Sequence, residues 1–192
     1  MRIVLRNLVW AVLWLAAGSS AMAVEEAAYS VVRSDGDYQL RDYAPQVVAE
    51  TVVEGELDEA GNAAFRPLFG YISGKNSQGT NFAMTAPVAQ RPAGTANRWA
   101  VSFLMPSGNS LDKMPAANDP RVQLRQIPAQ RMAAVRYSGT WSVKNYQQHR
   151  QGLEAWIAAQ GLKPAGEAVW ARYNAPFTPW FMRRNEILIP VN

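Results

Sequence analysis

The chain ends on RYNAPFTPWFMRRNEILIPVN, where Phe177, Trp180 and Phe181 crowd against Arg183 and Arg184 just ahead of an apolar run. Guanidinium groups bind carboxylates bidentately and stack on aromatic planes. Pro176 and Pro179 hold this segment out of regular structure, so its three aromatic rings cannot all be core. Two chemistries stay open from the residues alone. Aromatics and arginines at a cavity rim would receive a flat, apolar, anionic ligand. Alternatively, the arginines pair with acidic residues such as Glu186, and the aromatics cover one end of the fold.

Catalytic constellations are poorly supplied. The chain has a single histidine, His149, and no cysteine, so Ser–His–acid and Cys–His arrangements would rest on one residue. No zinc or calcium spacing occurs, and SGKNSQGT fits neither a phosphate loop nor a dinucleotide fingerprint. Asp58 and Glu59 sit where a helix begins, a place that favours carboxylates through the helix dipole alone. His149 lies between Tyr146 and Leu153 on an apolar helical face. It is either an axial ligand to an iron or a boundary residue satisfied by one hydrogen bond. No run of basic residues forms a stripe, which argues against a nucleic-acid partner. We therefore expect no enzymatic activity.

The elements that must position these residues occur twice. At a constant offset of 84, Gln39, Leu40, Arg41, Gln46 and Ala49 match Gln123, Leu124, Arg125, Gln130 and Ala133. The same offset carries FLMP (Phe103–Pro106) onto ILIP (Ile187–Pro190) and His149 onto Phe65. The register implies two repeats, about 31–106 and 122–191. Each half reads as a short strand, a proline-bearing bend, a second strand, one helix and two closing strands. The second helix runs from an N-cap at Ser142 to a stop at Gly161, with Val143, Tyr146, Leu153, Trp156, Ile157 and Gln160 on one face. The first, Asp58 to Ile72, contains Pro67 and should be kinked or begin late. This alternation predicts an α+β fold, a distorted antiparallel barrel from two pseudo-symmetric repeats with both helices packed outside. MPSGNSLDKMPAANDP is the expected loop between halves.

The first 23 residues read as a secretory signal: Arg2 and Arg6, an apolar stretch from Leu8 to Ala17, then SSAMA. That stretch is short for a permanent membrane helix, which needs about 20 apolar residues. Removing the signal takes two arginines off a formal charge of +4 and leaves a single domain, 24–192. We expect export across the inner membrane, to the periplasm, with no lasting membrane insertion.

YQLRDYAPQVVAETVVEG, FRPLFGYISGKN, AMTAPV and YNAPFTPWFMRRNEILI together resemble the SOUL haem-binding protein family, from about Val31 to Val191. The resemblance implies a distorted barrel of two pseudo-symmetric halves, each with one helix. It implies non-catalytic binding of haem or another tetrapyrrole, between the first helix and the loop before the last strand. Carried onto this chain, the site residues are Phe65, Phe69, Tyr173, Phe177, Trp180, Arg183 and Arg184, with one arginine meeting a propionate. Two positions depart from the family's haem-binding members: Asp42 stands where the namesake has a histidine, and Asn62 where others have an arginine. Any haem would then be held by hydrophobic contact or by His149, a tyrosine or a methionine. The expected role is an exported tetrapyrrole carrier or buffer. The alternative is a module for another small amphipathic ligand or a protein partner, since such twin-repeat cups also resemble bacterial effector-binding domains.

Overall fold

The valine-rich and alternating segments form strands, and the two periodic segments form helices. In chain order these are β1 (Glu25–Glu26), β2 (Tyr29–Asp35), β3 (Tyr38–Tyr43), β4 (Gln46–Glu54), α1 (Ala60–Ile72), β5 (Thr85–Ala86), β6 (Val88–Pro92), β7 (Arg98–Leu104), β8 (Gln123–Ile127), β9 (Gln130–Tyr137), α2 (Val143–Ala159), β10 (Val169–Arg172) and β11 (Asn185–Pro190). The structure is a computed structural model that describes residues 24–94 and 96–192. The export signal expected over residues 1–23 lies outside the described residues. No helix among the described residues is long and apolar enough to cross a membrane.

Nine strands form one antiparallel sheet in the order β2-β3-β9-β11-β10-β6-β7-β4-β8. β1 and β5 form a separate parallel pair. The large sheet curls into a distorted, open barrel, and its end strands β2 and β8 do not pair with each other. The order divides at the β10–β6 pairing into β3-β9-β11-β10 and β6-β7-β4-β8, with α2 following β9 of the first set in sequence and α1 following β4 of the second. Gln46 opens β4 and Gln130 opens β9, the positions that the 84-residue offset equates. Strand order alone does not establish a duplication, which rests on the residue matches.

Strand side chains alternate between two faces, and the two faces bury different chemistry. On the outer face, α2 places Tyr146, Leu153, Trp156 and Ile157 against Leu40, Ala133, Val135, Trp170, Ile187 and Ile189. α1 places Ala60, Ala64, Leu68, Tyr71 and Ile72 against Val47, Ala49, Val101 and Phe103. The inner face carries a smaller cluster of Tyr43, Met132, Ala134, Ala171 and Leu188, together with buried charges described below.

Both ends of α2 follow the sequence reading. The Ser142 side chain accepts a bond from the Asn145 backbone N–H at 3.3 Å. Gly161, at φ +70°, ends the helix in a Schellman arrangement, with N–H bonds from Gly161 to Ala158 and from Leu162 to Ile157. α1 has no side-chain cap and starts two residues later than expected, with Pro67 inside it. β2 was not foreseen, because six of its seven residues are exposed and no apolar face announces it. Leu153 is fully buried between α2 and the sheet. Leu153→Ala should therefore destabilise the fold by about 2–5 kcal/mol, read as a lower urea midpoint with an unchanged slope.

Candidate functional site

A cleft of about 340 Å³ opens between the N-terminal half of α1 and the loop leaving β10. α1 contributes Gly61, Asn62 and Phe65; the chain around β5 contributes Met84 to Ala86; and the far wall is Tyr173 to Phe177, with Trp141 and Arg172. The apolar residues at its mouth are held open to solvent: Phe65 is 42% exposed, Phe69 47% and Phe177 89%. Phe65 and Phe69 stack on the helix surface with ring centroids 5.3 Å apart. Helical spacing of four residues puts both rings on one face, and Phe65 also meets Phe103 edge-on at 5.7 Å. A short 3-10 turn, Trp180–Met182, then leads into β11 and leaves Trp180, Phe181 and Met182 exposed.

The loop is anchored from the other side of the sheet. Glu186 on β11 is completely buried and accepts bonds from Arg41 at 2.6 and 3.3 Å, from Tyr173 at 3.1 Å and from Arg184 at 3.0 Å. Arg184 reaches further, to Glu26 of β1 at 2.8 and 2.9 Å, and its guanidinium lies 3.7 Å from the centre of the Tyr173 ring. Arg41 also donates to Tyr43 and lies over the Tyr29 ring. Burial pushes the Tyr173 hydroxyl far above its ordinary value, and the neighbouring Glu186 carboxylate adds to the effect, so this phenol stays a donor.

The expected site residues therefore divide. Phe65, Tyr173 and Phe177 line the cleft, with Phe69 stacked beside it. Trp180 stands on the adjoining turn, in edge contact with Phe181 at 5.6 Å. Arg183 donates to the carbonyls of Thr178 and Pro176 at 2.8 and 2.7 Å and lies over Trp141. Arg184 is held by Glu26 and Glu186. His149 is not among the cleft-lining residues; its ring stacks on Tyr137 at 4.0 Å. Asp42 pairs with Arg131 at 2.7 Å, and Asn62 lines the cleft. No cluster of three or more histidines or carboxylates among the described residues could hold a metal ion.

The sequence reading passed over Arg172, Trp141, Gly61 and Met84. Arg172 had a usable signal: it follows Trp170 by two positions on a strand, which places both on the buried outer face. Its guanidinium lies 4.6 Å from the Trp170 ring and 5.2 Å from that of Trp141. Trp141 is itself fixed by a 2.7 Å bond to the buried Asn185 side chain.

Fold and cleft define a small α+β barrel with an aromatic-edged, ligand-sized opening on its outer face. The SOUL heme-binding protein family matches residues 24–190, and the chain belongs to it. No curated protein sequence matches the chain. Among solved structures, the C-terminal domain of EcmrR is 13% identical with a TM-score of 0.63, over 85% of this chain and 98% of that one. A hydrolase from Listeria innocua is 9% identical with a TM-score of 0.59, over 84% and 94%. An uncharacterized conserved protein from Listeria innocua is 10% identical, TM-score 0.59, over 81% and 92%. At these identities the likenesses describe the fold alone.

Two outcomes follow from the charges. Glu186→Gln leaves Arg41 and Arg184 without their shared carboxylate and should cost about 3–5 kcal/mol, measured by chemical denaturation; a loss below 1 kcal/mol would mean that water replaces the network. Burial draws the His149 imidazole below its ordinary 6.5, against the opposing pull of Asp37. A base held below its unfolded value takes up its proton more readily when unfolded. Its stabilising contribution is therefore present above about pH 6.5 and is lost as pH falls through the folded value. Between about pH 7.5 and pH 5.5 the wild-type Tm should drop more than that of His149→Phe, which keeps a ring on Tyr137. Equal acid sensitivity would clear the imidazole of any part in it.

Proposed function

We propose that this chain binds haem or another tetrapyrrole at the cleft between α1 and the 173–184 loop, does no chemistry on it, and acts as an exported carrier or buffer in the periplasm. The observation that carries this reading is a cleft edged by Phe65, Phe69 and Phe177 with their rings turned out to solvent. Soluble proteins do not usually leave several adjacent aromatic rings bare without an occupant. At about 340 Å³ the cleft is at the small end of the ~300–1,000 Å³ typical of ligand pockets. A macrocycle would enter by one edge and lie with its remaining face on the exposed rings.

The residues present suit such a guest unevenly. Phe65, Phe177, Trp141 and Val88 offer apolar faces, and burying macrocycle area against them contributes ~25 cal/mol per Å² before the costs of association. The lining contains no histidine. Met84, which is exposed at its edge, is the soft donor within it. The protein would thus hold the ring by its faces, with the iron contributing little. A second reading, a protein partner, is favoured by the bare Phe181 and Met182 beyond the cleft.

Titration with ferric haem and with metal-free protoporphyrin IX, followed by tryptophan quenching, tests the proposal. Comparable affinity for both is expected, and Phe65→Asp should weaken each by tenfold or more. Failure of both to bind would remove the tetrapyrrole reading and leave the partner reading standing. A tight haem complex with a Soret shift abolished in His149→Ala would overturn the non-ligating pocket.

A further inference from the structure

Arg172 closes the inner end of the cleft. Its side chain is 6% exposed, yet it makes no ion pair with any described residue. One terminal nitrogen donates to the Gln90 side chain, itself tied to the Leu57 carbonyl at 2.6 Å, and Nε is buried without a partner. The plane is gripped by Trp170 and Trp141. α1 makes room for it with Gly61, where a β-carbon would come within 2.8 Å of the guanidinium carbon. Burial draws the group down to about 10 against the weaker opposing pulls of Tyr137 and Asp58, so it remains a cation at neutral pH under a desolvation penalty offset only in part.

A buried, oriented cation lining an apolar cleft, with Asp58 close enough to act on it but no carboxylate in ion-pair contact, is built for an anion supplied from outside. We propose that Arg172 receives a carboxylate of the ligand, so that the cleft selects aromatic or macrocyclic acids, which enter carboxylate first, over their neutral analogues. The proposal rests on the ligand occupying this cleft. It assigns the anion-binding role to Arg172 rather than to Arg183 or Arg184, whose donors are spent on Pro176, Thr178, Glu26 and Glu186. Asn62 and Asn174 face the same space and add neutral donors without competing charge.

The test compares protoporphyrin IX with its dimethyl ester, using quenching of the tryptophans that flank Arg172. Wild type should prefer the diacid by about tenfold or more, roughly the strength of one charge-assisted pair. Arg172→Met should lose that preference while keeping its affinity for the ester, and should melt no lower than wild type without ligand, since it removes an unpaired buried charge. Arg172→Lys should keep part of the preference, as a point charge without the planar fork. Gly61→Ala, which displaces the guanidinium, should also lower it. Equal wild-type affinity for acid and ester would overturn the assignment and leave the tetrapyrrole reading intact. So would an undiminished preference in Arg172→Met. Binding of neither porphyrin would overturn both.

Discussion

The molecule depends on one buried carboxylate. Glu186 lies inside the curl of the sheet with no access to water, and an isolated charge there would cost many kcal/mol. Arg41 from β3 and Arg184 from the preceding loop neutralise it, and the Tyr173 hydroxyl completes its bonding. Arg41 comes from a distant part of the chain, so the bond set joins β3, across β9, to the last strand and fixes where the loop leaves it. A second carboxylate, Glu50, is held the same way on the other half, by Arg91 and by Arg125. Arg41 and Arg125 are the two arginines of the QLR segments. The interior of this barrel is thus sewn with charge around its small apolar cluster.

That constraint decides which arginines are free for a ligand. Arg184 cannot leave Glu186 without exposing a buried charge, and Arg183 braces the proline-bearing loop through two carbonyls. The rim arginines are therefore scaffold for the loop that carries Phe177 and Trp180. Arg172, one residue before Tyr173, points to the opposite face, where alternation along β10 directs it into the outer cleft. Adjacent residues at the end of β10 thereby serve different ends: the Tyr173 hydroxyl tightens the barrel interior and Arg172 charges the cleft.

Much of the fold was legible in the sequence because it follows from short-range rules. Alternation marked most strands, the face of Tyr146, Leu153, Trp156 and Ile157 marked α2, and Ser142 and Gly161 marked its ends. β2 escaped because an exposed edge strand has no buried face to impose a pattern. The site was legible only in part. Phe65 and Phe177 could be placed by resemblance, and Glu186 was open as a partner of the arginines, but the contacts of Arg184 with Glu26 and of Glu186 with Arg41 join residues far apart in sequence. Gly61 carries no signal of its own. A glycine inside a helix looks like a propensity fault until the group facing it is known.

Gly61 in turn bears on what the cleft is for. A glycine within α1 costs about 1 kcal/mol relative to alanine, and Pro67 in the same helix interior costs more. Filling Gly61 would improve the helix but push the Arg172 guanidinium out of its slot between Trp141 and Trp170. The fold accepts a weaker helix and a buried cation with no carboxylate in ion-pair contact in the same few ångströms. Neither concession is a gain for the empty protein. Both make sense if the cleft spends part of its time filled by an anion. Ligand binding then offsets a desolvation cost already built into the fold, and the protein is stabilised most when loaded.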